Sequence, residues 1–106
     1  MCLTSENGAH HEEISIIASF HAREGQQNAV VAVLRDEVRF SRADPGCLAH
    51  GAYRSARDPR SFFILSRWVD EAAFENHASL PHTVSFVKAV QQLIDHELEP
   101  VRLRPI

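Results

Sequence analysis

From Ile14 to Ala22 apolar and polar positions alternate, with Ile14, Ile16, Ala18, Phe20 and Ala22 on one face and Ser15, Ile17, Ser19 and His21 on the other. That period of two predicts a half-buried strand. Arg23-Glu24-Gly25 breaks it, and Gln26 to Arg42 then carries Val30, Val31, Val33, Leu34 and Val38 as a helical stripe, with Arg35, Asp36 and Arg39 outside. Asp44-Pro45-Gly46 marks a turn. Cys47 to Ser55 alternates again and predicts a second strand, Cys47, Ala49, Gly51 and Tyr53 on one face and Leu48, His50, Ala52 and Arg54 on the other. Asp58-Pro59 suits a hairpin turn into a third strand, Phe62 to Val69, dense in aromatic and branched residues.

Asp70 is a good N-cap for a short helix carrying Phe74 and His77, which a spacing of three sets side by side. Leu80-Pro81-His82 opens another helix with proline in its first turn, and Phe86, Val87, Val90, Leu93 and Ile94 continue its apolar stripe over Thr83 to His96. Pro100 closes that region, and Val101 to Leu103 reads as a short final strand. The order is β-α-β-β-α-β with one extra short helix. It predicts an α+β, ferredoxin-like sandwich with helices on one face of the sheet.

The third strand conflicts with that plan taken as a monomer. Phe62, Ile64 and Trp68 alternate with Phe63, Leu65 and Val69, so both faces are apolar although helices cover only one. A soluble protein rarely leaves such a face bare, so a second copy is expected to cover it as a homodimer. Arg67 interrupts one face and needs a carboxylate or carbonyl partner, which the interface is one way to supply.

Composition narrows the classes. At 106 residues the chain is one domain, read as a flexible leader over residues 1–12 and a folded domain over 13–106. A net charge of −3 gives no basic footprint, so no nucleic-acid partner is expected. No apolar run approaches the roughly 20 residues of a membrane span and no basic-then-apolar start marks export, so the expected place is the cytoplasm, with no membrane partner. Cys2 and Cys47 form neither a disulfide framework nor a metal knuckle and read as free thiols.

Pro45-Gly46-Cys47-Leu48, the Asp58-Pro59 turn, Phe62-Phe63-Ile64-Leu65 leading to Trp68, then Asp70-Glu71-Ala72, His77 and Pro81-His82, in that order, resemble the antibiotic biosynthesis monooxygenase family. The likeness spans about Ile14 to Leu103. It implies a dimeric α+β barrel in which two ferredoxin-like sheets pack face to face, each subunit keeping an apolar pocket between sheet and helices. It also implies one of several activities: cofactor-independent oxidation of quinols or aromatic polyketides with O2, haem degradation, or none assigned. Relatives commonly have an acidic residue two before the tryptophan, where this chain has Ser66, and a tyrosine where it has His50. The asparagine that the haem-degrading branch carries on its first strand is missing from Ser15 to Ala22.

A phenol or quinol must lose a proton before its anion can reduce O2, and histidine, with a pKa near 6.5, suits that step. His77 is the first candidate base and His50 the second, while Trp68, Phe74, His82 and Phe86 are candidate substrate contacts. No cofactor is expected. The plain alternatives are that Trp68 is a core or pocket-wall residue, that His77 makes a structural hydrogen bond, and that His82 lies at the surface. A metal site of His50, His77 and His82 is weak on spacing, because His77 and His82 are five apart across a proline and no nearby carboxylate completes a ligand motif. The rival function is a non-catalytic barrel that binds a small apolar ligand.

Overall fold

The computed structural model describes residues 12–106, so the leader expected over residues 1–12 lies, except for Glu12, outside the described residues. The elements run β1 (Ile14–His21), α1 (Gln27–Ser41), β2 (Cys47–Arg54), β3 (Ser61–Trp68), α2 (Glu71–Ala78), α3 (Pro81–Gln91) and β4 (Val101–Leu103). The strands form one sheet in the order β2-β3-β1-β4, every neighbouring pair antiparallel. β3 is thus slotted between β1 and β2, which is the split βαβ plan expected from the order of elements.

The alternation in β1 is realised: Ile14, Ile16, Ala18, Phe20 and Ala22 are all buried under the helices. From α1, Val30 and Leu34 meet them, and from β3, Phe62, Ile64 and Trp68. Two apolar clusters result. One joins Phe20, Leu34, Phe62 and Val90, and the other joins Ile14, Ile16, Trp68 and Phe74 at the far end of the sheet.

Local signals set several ends. The Asp70 carboxylate accepts from the Ala73 N–H at 2.8 Å and caps α2. Pro81 occupies the first turn of α3, and Leu80 before it is extended at φ −69°, ψ 148°, as a residue preceding proline prefers. Gly46 has φ +82°, and a Cβ there would stand 2.6 Å from the Ala73 side chain. Only glycine lets this turn lie flat against α2.

Three expectations are corrected. The helix expected to reach His96 stops at Gln91, because Arg23 N–H bonds the Leu93 carbonyl and Asp95 N–H bonds the His21 carbonyl. Ile94 keeps its buried position as a bridge to Ala22 instead of as a helical residue. In β2 a bulge at Leu48 shifts the register between Cys47 and Ala49, so Cys47 packs against the Trp68 cluster instead of sharing a face with Ala49. Arg67 is exposed, and its partner is in its own chain: Nε and Nη2 donate to Glu13 at 2.6 and 3.1 Å.

The sheet face away from the helices is apolar, as the third strand predicted. Cross-strand register places Tyr53 and Phe63 in one row, and Gly51, Leu65, Ile17 and Val101 in the next. Leu65, Tyr53, Val101 and Leu103 are exposed there. Among the described residues no helix is long and apolar enough to cross a membrane.

Candidate functional site

Trp68 ends β3 with no exposed surface, and its indole N–H donates to Ser66 Oγ at 3.0 Å. Ser66 is two positions earlier on the same face of the strand, which is why it can reach. His77, on the buried side of α2, lies over the indole with ring centroids 4.5 Å apart and planes inclined by 35°. Phe74 and His50 meet the indole edge-on, at 6.0 and 6.3 Å. The pairing of Phe74 with His77 that helical spacing predicted is present, their rings 5.9 Å apart.

Behind His77 stands a polar cluster drawn from three helices and a turn. Its Nδ1 lies 2.7 Å from Asp44 Oδ2, and its Nε2 lies 3.7 Å from Glu37 Oε2. His82 sits between the same two carboxylates, with Nδ1 3.0 Å from Glu37 Oε1 and Nε2 2.9 Å from Asp44 Oδ2. A carboxylate only accepts, so this geometry favours the form of His82 with both nitrogens protonated. Burial works against that charge, but the hydrogen bonds and charges of Glu37 and Asp44 outweigh it and hold the His82 pKa above the ordinary histidine value. Ser41 Oγ donates to Glu37 Oε2 at 3.1 Å.

Neither carboxylate was among the residues marked by sequence. Glu37 had a signal, since Val30, Leu34, Glu37 and Ser41 share one helical stripe and all four are buried. Asp44 had none beyond its turn, because its partners lie 33 and 38 residues away. Gly46 is what brings that turn against α2, and Asp44 with it.

His50 comes from β2. Its side chain is buried, and its Nδ1 has no hydrogen-bond partner among the described residues. Burial, then the positive fields of His77, Arg42 and His82, lower its pKa to about 4 against an opposing pull from Asp44. It is therefore neutral near pH 7. Burial also pushes the Cys47 thiol up, which leaves it protonated and unreactive.

A cavity of about 130 Å³ lies between sheet and helices. Ile16, Phe20, Ile64, Phe74 and Phe86 form its apolar wall, and His50, His77, Glu37 and Thr83 supply polar groups. Four of the marked residues, His50, His77, Phe74 and Phe86, border this space. Trp68 and His82 do not. Trp68 backs the His77 ring, and His82 lies beyond the carboxylates in a surface groove beside Phe40. The uncovered face of the sheet holds a wider hollow of about 730 Å³, which His50 and Ser66 also border.

Residues 13–89 match the sequence profile of the family described as antibiotic biosynthesis monooxygenase. The protein named "Putative monooxygenase Rv0793" of Mycobacterium tuberculosis is 26% identical over 93 residues, covering 88% of this chain and 91% of that protein. The structure of Rv0793 superposes with a TM-score of 0.84 at 25% identity, covering 90% of this chain and 96% of the other. PA3566 of Pseudomonas aeruginosa superposes with a TM-score of 0.82 at 27% identity, over 90% and 95% of the two chains. "Putative monooxygenase YcnE" of Bacillus subtilis is 31% identical over 65 residues, covering 61% of this chain and 68% of that protein. With more than two thirds of its length matched by the family profile, and with these structures superposing on 90% of it, the chain belongs to the antibiotic biosynthesis monooxygenase family.

Proposed function

We propose that this protein is a homodimeric, cofactor-independent monooxygenase that oxidises an aromatic or quinol-like small molecule with O2 in the cavity between sheet and helices. The observation that carries the reading is the cavity itself: a largely apolar, aromatic-walled space bordered by two buried imidazoles. His77 is the base. Donation from its Nδ1 to Asp44 leaves the lone pair on Nε2, which can take a phenolic proton. The resulting anion reduces O2. One oxygen atom enters the ring, the other leaves as water, and the quinol supplies the reducing equivalents.

His50, neutral and with a free Nδ1, is the hydrogen-bond partner for a substrate oxygen. Phe74 and Phe86 hold the ring, Trp68 fixes His77 from behind, and His82 fixes Asp44 and Glu37. Size favours a small substrate. An apolar cavity of about 150 Å³ takes up benzene, so 130 Å³ suits a single ring, and a bicyclic quinol would have to displace a wall such as Leu98 or Pro100.

The test is oxygen uptake by purified protein over a panel of monocyclic and bicyclic quinols. Uptake above the protein-free rate is expected, strongest with one ring. His77→Ala should lower it by about 10²- to 10⁴-fold without changing the sedimentation of the protein. Uptake that never exceeds the control across the panel sinks the enzymatic reading. One observation favours the rival, a non-catalytic binder of a small apolar ligand: the cavity is well under the roughly 300 Å³ at which ligand sites usually begin. A thermal shift with quinols but no uptake would establish that rival.

A further inference from the structure

Potential metal-ligand atoms from three separate elements converge beside the cavity. Asp44 Oδ2 from the turn after α1, His77 Nδ1 from α2 and His82 Nε2 from the start of α3 lie within 4.8 Å of one another. Asp44 Oδ2 is 2.7 Å from the first nitrogen and 2.9 Å from the second. Zinc bonded at about 2.0–2.2 Å needs tetrahedral ligand atoms about 3.3 Å apart, so the Asp44 oxygen would have to draw back from both nitrogens as the ion enters. Two imidazoles and a carboxylate suit a borderline divalent ion, with a fourth position left for water.

A surrounding shell is also present. The remaining nitrogen of His82 is held by Glu37 Oε1 at 3.0 Å, the carboxylate–histidine arrangement that orients imidazole ligands and raises their basicity. Glu37 is 4% exposed, so it is not there for solubility. Its other oxygen accepts from Ser41 and lies 3.7 Å from His77 Nε2.

Charge points the same way. The carboxylates of Asp44 and Glu37 both face the two imidazoles in a poorly solvated place, and a divalent cation there would be attracted by both. Access exists, since the His82 side chain is 23% exposed and borders a surface groove.

We propose that Asp44, His77 and His82 form a binding site for a zinc-class divalent ion, with Glu37 as the outer carboxylate on His82. Binding expels the Nε2 proton of His82 to solvent and moves the proton of His77 from Nδ1 to Nε2, so the net charge of the cluster goes from −1 to zero. The ion then ties α2, α3 and the turn after α1 together. A loaded His77 carries its proton on Nε2 and cannot act as a base, so the loaded form is a resting form of the oxidation. That last point rests on His77 being the base, whereas binding does not.

The test needs no turnover. The full chain is stripped with chelator and titrated with Zn2+ by calorimetry and with Co2+ by visible absorption. One Zn2+ per chain and an intense four-coordinate Co2+ band are expected, with a raised melting temperature. Asp44→Asn and His82→Asn should abolish both signals. Glu37→Gln, which keeps the side-chain volume, should weaken binding by about 10- to 100-fold and serves if the other variants fold poorly by circular dichroism. A chain with Cys2, His10, His11 and His21 changed to Ala should bind as the parent does. The proposal is overturned if no ion binds stoichiometrically, if Asp44→Asn and Glu37→Gln bind as well as the parent, or if binding is lost in the Cys2/His10/His11/His21 variant.

Discussion

At the residue scale the two histidines nearest His77 titrate in opposite directions, and stability should record both. The folded pKa of His50 is about 4, below the unfolded value near 6.5. The folded state therefore resists protonation that the unfolded chain accepts. Its contribution is complete above pH 6.5 and is lost as pH falls from 6.5 toward 4, by roughly 3 kcal/mol at most. His82 has a raised pKa, so its contribution is complete below 6.5 and is lost as pH rises through the folded value. Denaturant unfolding in the presence of chelator should thus show maximal stability near pH 6.5. His50→Phe should flatten the acid side between pH 6.5 and 4.5. An acid limb unchanged by that substitution would remove His50 as its cause. Trp68→Ala should cost about 3–5 kcal/mol, because the indole touches Phe74, His50 and His77 at once and has no exposed surface.

At the scale of elements, the glycine that closes the α1–β2 turn joins local geometry to the site. Gly46→Ala puts a Cβ at φ +82° and against Ala73, so it should destabilise by more than the about 1 kcal/mol of a simple left-handed penalty. It should also pull Asp44 from His77 and His82, which imidazole nitrogen chemical shifts would detect. Asp70→Ala, which only uncaps α2, should cost about 1 kcal/mol and leave those shifts in place. What could be read from the chain follows the same division. The alternation of β1, the Asp70 cap, the Pro81 start and the Phe74–His77 pair depend on neighbours within a few residues, so local pattern was sufficient. The bulge at Leu48, the end of α3 and the Asp44–His82 contact depend on long-range pairing, and period alone cannot announce them. Glu37 lies between. The apolar stripe of α1 passes through it, but a carboxylate in that stripe makes sense only once His82 is known to face it.

At the scale of the whole molecule, the helix-free face of the sheet has no cover among the described residues. Its rows place Ile17, Leu65 and Val101 together, with Tyr53 and Phe63 alongside, and Leu65 is 44% exposed there in the centre of the sheet. The Arg67–Glu13 pair satisfies itself within the chain, so a second copy that covers this face need not neutralise Arg67. The hollow on that face also reaches His50 and Ser66, so the same contact that covers the apolar rows would seal one side of the proposed site from water. A stable interface buries about 800 Å² per partner, and sheet-on-sheet packing centred on Leu65 is the way this fold would supply it. The dimer proposed here therefore predicts a particular loss. Leu65→Arg should give a folded monomer in sedimentation velocity at micromolar concentration, with an unchanged far-ultraviolet spectrum, whereas Val84→Arg, an exposed apolar position on α3, should leave the dimer whole. If the unmodified protein sediments as a monomer, the face has another use. If Leu65→Arg remains dimeric while Val84→Arg does not, the helices carry the contact, and the site lies away from the interface.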